Sequence, residues 1–304
     1  MMLVPPLRVP LQSDLKQGLA NWLDRVHEEK SNNACNDDSY NANVNNSDIP
    51  EFTAAECMGD LEQLHNLRLQ LSDGISTVRS YEEAKALVPV FHEYYAMLVE
   101  CESRGFPSAS TSSSMTAIKL EWMGAIGDDD SQDTSSSPHH PIGSHSGLLL
   151  ERASILWNLA AIEAYNASMQ DVTTNKKKWA MANKNMQLAF TYMHHLKETL
   201  LVLAQNENEE ATTATRTRLS TDFQSSTVTF WENVLQAQAQ MAGYEKASIR
   251  PKHLLLGKIS AGAVPLWDTA AEACCSHNNT NMLSHQTNHH HDHGSNSWHL
   301  QAIS

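Results

Sequence analysis

The chain has 304 residues, of which 41% are hydrophobic, and a formal net charge of −14 at pH 7. An acidic excess of this size argues against a protein that binds nucleic acid or an anionic membrane over its whole surface. The five cysteines are scattered without a CxxC pair, and we find neither a signal peptide nor a long apolar segment, so we expect a reduced, cytoplasmic protein.

Two short segments predict a small β-sheet. Residues 7–11 alternate roughly in hydrophobicity and are typical of an edge strand, where Pro10 is tolerated. Residues 117–123 alternate apolar with charged side chains and form the clearer strand. We expect these two strands to pair, which would join distant parts of the sequence.

Apolar side chains that recur every three or four residues predict about seven helices. Asp48, with Glu51 three residues later, predicts the N-terminal cap of the second helix, and Gly74 predicts its end. Pro89 and Pro265 fall inside the third and seventh patterns, where a proline kinks or restarts a helix. The predicted helices cover residues 13–26, 48–74, 80–105, 147–167, 176–205, 230–247 and 254–274.

The segment 147–167 is the one around which the others are organised. Small alanines alternate with large apolar side chains over most of its circumference. Its polar residues form only a narrow strip: Glu151, Arg152, Asn158, Glu163 and Asn166. A helix of this kind must be covered by neighbours on several sides, so we predict the central helix of a layered, all-helical domain.

Three segments have too few apolar residues to pack. Residues 31–47 are rich in Asn, Asp and Ser, and residues 128–146 have low complexity, so both are predicted to be disordered loops. Residues 276–304 are rich in Asn and His and are predicted to be a disordered tail. This leaves residues 1–275 as one helical domain.

No catalytic motif is present in the sequence. It contains no GxGxxG, no GxxxxGK[ST] and no HExxH. Cys101 lies beside Glu102 and near Arg104, so it could be an activated thiol, although a semi-buried structural cysteine is the favoured interpretation. We therefore expect no catalytic residue and no cofactor.

Histidines are concentrated in the tail. Their imidazoles could bind a transition metal, and a metal-dependent enzyme would have to use them, but nothing there fixes a ligand geometry. We favour a compositionally biased tail and expect no metal site. The histidines are His285, His289, His290, His291 and His293.

Glutamines alternate with alanines over residues 235–240. Gln236, Gln238 and Gln240 are uncharged, and some of them must lie near neighbouring helices. The simplest interpretation is a close-packed helix whose side-chain amides bond to adjacent backbone.

Five strings occur in order along the chain. They are YY at 94–95 with RGFP at 104–107, IKLEW at 118–122, LERASILWNLAA at 150–161, LQAQAQ at 235–240 with KA at 246–247, and KI at 258–259 with LW at 266–267. These strings resemble the motifs of the BRO-one domain, the helical ESCRT-associated module of ALIX and rhophilin. The match spans most of residues 7–273.

The resemblance implies a mainly α fold: a curved, boomerang-like stack of antiparallel helices with a helix-hairpin-repeat core and a small β-sheet. It also implies a non-enzymatic adaptor of endosomal sorting. Such domains bind the C-terminal amphipathic helix of an ESCRT-III filament subunit by a helix-in-groove mode. We therefore expect recruitment to endosomes, indirect membrane association and no nucleic-acid partner.

Carried over to this sequence, the apolar binding patch of the family falls on Gly243, Leu255 and Ile259. Leu255 and Ile259 are four residues apart and share a helix face. The family usually has a large aromatic residue where this chain has Gly243, and the neighbouring Tyr244 is the available substitute. Plain core packing remains an open alternative for Leu255 and Ile259.

Family members continue with further helices beyond the region that matches Ala273, so the domain looks truncated at that end. A degenerate partial domain without binding activity is therefore one alternative. A rhophilin-like scaffold that signals through a small GTPase is another, and it would need additional domains. The oligomeric state is left open by the sequence.

Overall fold

The computed structural model describes residues 2–10, 15–35, 53–106, 119–120, 122–123, 145–146, 148–170, 176–210, 221–248 and 253–275. Over these residues the fold is mainly helical, as predicted. The seven α-helices in this part of the chain are α1 Leu15–Cys35, α2 Ala54–Thr77, α3 Tyr81–Ser103, α4 Leu148–Ser168, α5 Lys176–Glu210, α6 Ser225–Ser248 and α7 His253–Cys275.

Each helix packs against the next one along the chain, from α1 on α2 through to α6 on α7. The connections from α2 to α3, from α4 to α5 and from α6 to α7 are short, which favours antiparallel neighbours, and the result is a stack in chain order. None of the helices in the described residues combines the length and apolarity needed to cross a bilayer.

Helices α2 and α3 each begin with a capping box. The Thr53 side chain accepts a hydrogen bond from the Glu56 backbone N–H, and the Glu56 carboxylate accepts one from the Thr53 N–H at 2.7 Å. Ser80 and Glu83 repeat the arrangement at α3. The prediction that Asp48 caps the second helix was therefore wrong, because Thr53 is the N-cap of α2. Asp48 itself lies outside the described residues.

Gly74 does not end α2, which continues to Thr77. A Cβ atom at Gly74 would collide with the side chain of Leu87 on α3. The glycine therefore allows two helices to approach closely, which a pattern along one helix does not reveal. The two prolines do not end their helices either, because α3 continues through Pro89 and α7 continues through Pro265.

Two predicted loops are shorter than the sequence indicated. Helix α1 extends through Cys35, so residues 31–35 are helical, and a strand lies at His145–Ser146. The remaining residues of both loops, 36–47 and 128–144, lie outside the described residues. The whole tail 276–304 does so as well.

Four short strands form two antiparallel pairs: β1 Val9–Pro10, β2 Lys119–Leu120, β3 Trp122–Met123 and β4 His145–Ser146. β1 pairs with β3, with Val9 opposite Met123 and Pro10 opposite Trp122. The predicted long-range pairing is thus confirmed. β2 pairs separately with β4, which lies directly before α4.

Helix α4 lies between two apolar clusters, as expected of a central helix. Ile155, Leu159 and Ile162 belong to the cluster built by α1, α2 and α3. Leu156 and Trp157 belong to the cluster built with α5 and α6. The polar strip is buried too, except for the half-buried Arg152, so little of the helix surface is exposed.

The N-terminal segment, residues 2–10, crosses the stack and is held by side-chain amides. Gln238 on α6 accepts a hydrogen bond from the Leu3 N–H at 2.6 Å and donates one to the Leu3 carbonyl at 3.0 Å. Asn158 on α4 binds the backbone of Arg8 in the same two-way manner, at 2.8 and 2.9 Å. The expectation that an amide in 235–240 bonds to adjacent backbone is confirmed for Gln238.

Candidate partner-binding groove

Helices α6 and α7 are joined by residues 249–252 and pack along their lengths, so they run antiparallel. The Gln240 Oε1 atom lies 3.0 Å from the position of a Cβ built on Gly262, so the two helices are in contact at this level. Because the helices run antiparallel, the part of α6 that follows Gln240 lies beside the part of α7 that precedes Gly262.

One row of residues on each helix borders this contact. Both rows follow the i, i+4, i+7, i+11 spacing of a single helix face. On α6 the row is Gln236, Gln240, Gly243 and Ala247, all of them half-buried. On α7 it is Leu255, Ile259, Gly262 and Leu266, none of them fully buried. We call the surface between these two rows the α6/α7 groove.

Gly243 forms a notch in the groove. A Cβ built on it meets no atom within 4 Å, so neither packing nor a close backbone approach requires a glycine there. Tyr244 is half-buried and lies about 100° further round the helix. The side chain of Tyr244 therefore leaves the helix on a different face from Gly243 and does not fill the notch.

The larger apolar side chains of α7 lie at its surface. Leu255 is 45% exposed and Ile259 is half-buried, whereas the fully buried apolar residues of this helix are Ala263 and Ala270. Leu255 is therefore not a core residue. Leu255 and Ile259 share one accessible face of α7, and Gly243 is half-buried on α6, the helix that packs against α7.

The groove is uncharged, because neither row carries an ionisable side chain, and its α7 row is apolar. Its one unusual polar atom is Gln240 Oε1, which is buried and has no hydrogen-bond partner among the described residues. Binding here would rest on apolar contact, with the glutamine and glycine positions shaping the floor.

The most connected polar group was missed by sequence reasoning. Glu151 on α4 is fully buried and accepts hydrogen bonds from Arg68 Nε at 2.8 Å, Tyr94 Oη at 2.7 Å and Trp122 Nε1 at 2.6 Å. These three donors come from α2, α3 and β3. Burial raises the pKa of Tyr94 well above its usual value, so the phenol stays a donor. This network joins four elements and is structural, since no surface reaches it.

The other candidates for chemistry do not form a reactive site. Cys101 is buried, and desolvation raises the pKa of its thiol to about 11, so it is protonated and unreactive at neutral pH. His194 bonds to Glu232 on α6, whereas His195 bonds to Tyr95 on α3, so the two neighbours point apart. The histidines of the tail lie outside the described residues, and the described part of the chain contains no group of three or more metal-ligating side chains.

Comparison with protein-family models gives a match to the BRO1-like domain over residues 46–302, which is most of the chain. Comparison with curated protein sequences gives no match.

Solved structures share the fold. "ALIX BRO1 CHMP4C complex" aligns at 18% identity and a TM-score of 0.62, covering 90% of this chain and 64% of that one. "Crystal Structure of ALIX in complex with the SIVmac239 PYKEVTEDL Late Domain" aligns at 18% identity and a TM-score of 0.60. That alignment covers 90% of this chain and 33% of the other one. "Structure basis for endosomal targeting by the Bro1 domain" aligns at 16% identity and a TM-score of 0.56, and the alignment covers 92% of this chain and 62% of the other one. The chain thus spans less than two thirds of the structures that it matches.

Proposed function

The chain belongs to the BRO1-like domain family, and on that premise we propose that it is a non-enzymatic adaptor of endosomal, multivesicular-body protein sorting. The proposed partner is the C-terminal amphipathic helix of an ESCRT-III filament subunit. The observation that carries the proposal is the α6/α7 groove, where an exposed Leu255, a half-buried Ile259 and the Gly243 notch share one surface.

An amphipathic helix fits this groove because both of its rows are uncharged and spaced by helical turns, and the α7 row is apolar. The partner helix would lay its apolar face between α6 and α7, with side chains three or four residues apart as anchors. Each fully buried aliphatic anchor contributes about 1.5–3 kcal/mol. Gly243 contributes no side chain, so the contacts of Leu255 and Ile259 carry most of the affinity.

The proposal places the chain in the cytoplasm and brings it to endosomes through its partner. Contact with the membrane is then indirect. The activity requires neither a cofactor nor a metal, since its only step is association.

The test is a titration of the full chain with a fluorescently labelled C-terminal helix peptide of an ESCRT-III subunit, followed by anisotropy. We expect a dissociation constant in the micromolar range, about −8 kcal/mol. The Leu255→Asp, Ile259→Asp double variant should weaken binding at least about tenfold, since each charge would have to be desolvated in the groove.

Leu254→Asp is the matched control, because Leu254 is the neighbouring residue but lies on another face of α7 and is 76% exposed. This variant should bind as the wild type does, and circular dichroism should give all three proteins the same helicity. Absence of binding by the folded wild type, or an equal loss in the control, would overturn the proposal.

A further inference from the structure

Basic side chains border the α6/α7 groove at the end where residues 249–252 join the two helices, which we call the hairpin tip. Lys246 lies three residues after Gly243, and Lys258 lies three residues after Leu255. Each lysine is therefore turned only about 60° from a residue of the groove. Both lysines are exposed. They form a basic rim, one lysine on each helix, beside the apolar anchors of the groove.

The sequence adds positive charge to the hairpin tip. The connection between the two helices carries Arg250 and Lys252. Among the described residues of the tip, Glu245 is the acidic exception, and it lies two residues from Gly243, so it is turned about 200° from the groove. In a chain with a net charge of −14, the basic rim is a local reversal of sign.

The opposite end of the α6/α7 pair is acidic. Glu232 lies one turn before Gln236 on α6 and pairs with Lys197 of α5 at 2.6 Å. Further acidic side chains are exposed at this end: Glu198 on α5, and Asp268 and Glu272 on α7. The two ends of the groove therefore differ in the sign of their charge.

Helix stability does not explain the charges of α7. Acidic side chains stabilise the first turn of a helix, and basic side chains stabilise the last turn. Helix α7 has neither, and it carries Lys258 in its first half but Asp268 and Glu272 in its second half. This arrangement opposes the helix dipole, which indicates that it serves an interaction outside the helix.

We propose that the basic rim selects and orients the partner, which is an amphipathic helix with acidic residues at one end of its apolar face, bound with that end at the hairpin tip. This inference rests on the proposed function, because it concerns the occupant of the same groove. Leu255 and Ile259 supply apolar contact, and the charged rim supplies orientation. The reverse orientation would bring the acidic end of the partner towards the acidic end of the groove, which is repulsive.

The test compares two forms of the C-terminal helix peptide of an ESCRT-III subunit that have the same composition. One form carries three added glutamates at its N-terminal end, and the other carries them at its C-terminal end. Apolar contacts hold both forms in one orientation, so only one form brings its glutamates to the hairpin tip. We expect the full chain to bind that form about tenfold more tightly by fluorescence anisotropy. Raising the salt concentration to about 1 M should reduce the difference to less than about twofold.

The informative variant is Lys246→Glu, Lys258→Glu, which replaces the basic rim with an acidic one. The preference between the two peptides should disappear or reverse. The matched control is Lys16→Glu, Lys85→Glu, which changes the net charge equally but on α1 and α3, so it should keep the tenfold preference. A photocrosslinker beside the glutamates of the preferred peptide should attach within residues 246–258.

Equal affinities of the wild type for the two peptides overturn this proposal alone, provided that Leu255→Asp, Ile259→Asp still abolishes binding. Absence of binding by both peptides overturns this proposal together with the proposed function. A preference that survives Lys246→Glu, Lys258→Glu contradicts the role of the rim. If the affinities are equal and phosphatidylserine vesicles sediment with the wild type but not with that variant, the basic rim serves a membrane instead.

Discussion

Helices α4 and α7 depart from ordinary amphipathic design in opposite ways. Helix α4 buries the polar side chains of Glu151 and Asn158 inside the stack, and both have hydrogen-bond partners there. Helix α7 leaves its large aliphatic side chains at the surface and buries alanines. Buried polar groups that have their partners fix one arrangement of the fold, whereas exposed apolar groups are available to other molecules. Helix α4 therefore holds the domain together, whereas α7 offers apolar side chains to a binding partner.

The sharpest way to break this comparison is Glu151→Ala. The substitution leaves the buried Arg68 without its carboxylate and the donors of Tyr94 and Trp122 without an acceptor. We expect a loss of about 3–5 kcal/mol in the free energy of unfolding, measured by urea denaturation. Glu62→Ala, which breaks the exposed pair with Lys16, should cost at most about 1 kcal/mol. Similar losses in both variants would show that the network does not carry this stability.

A smaller effect separates three helical glycines. Gly243→Ala should stabilise the fold by about 0.5–1 kcal/mol, because its Cβ meets open space and alanine loses less backbone entropy. Gly262→Ala should gain less, since its Cβ presses on Gln240, and Gly74→Ala should destabilise by collision with Leu87. Thermal unfolding of the three variants gives the order. Destabilisation by Gly243→Ala would contradict the open notch.

A further prediction concerns pH and the thiol of Cys101. The folded-state pKa of about 11 lies above the usual value of 9, so the unfolded chain releases this proton first as the pH rises. The contribution of the protonated Cys101 thiol to the free energy of unfolding is therefore complete below pH 9, and it is lost as the pH rises from 9 to 11.

Alkylation by iodoacetamide at pH 8, read by mass spectrometry, should modify Cys101 far more slowly in the folded chain than in urea. The half-buried Cys274 on α7 provides the internal comparison. Equal rates for Cys101 in the folded and unfolded chain would contradict a buried, protonated thiol.

Features that depend on one element were predictable from the sequence. The apolar spacing of residues 147–167 predicts a central helix, and the alternation in 117–123 predicts the strand that pairs with β1. Leu255 and Ile259 were placed by resemblance, and their helical spacing predicts their common surface.

Features that depend on two elements were not predictable. Gly74 looked like a helix end because its contact with Leu87 belongs to another helix. Glu151 looked like part of an ordinary polar strip because its three donors lie far away in the sequence. The contact of Gln240 with Gly262 joins α6 to α7, and neither helix pattern alone predicts it.

The amide clamp on the N-terminal segment has a consequence for how the chain is made. Leu3 leaves the ribosome before its partner Gln238, which follows 235 positions later. At about 5–20 residues per second, the segment waits roughly 10–50 s for the helix that binds it. During synthesis, Met2, Leu3 and Val4, which pack against the second apolar cluster in the finished fold, lack α6 as a packing partner. The N-terminal segment is therefore translated before every helix of the stack, yet one of its two amide clamps closes only after α6 emerges.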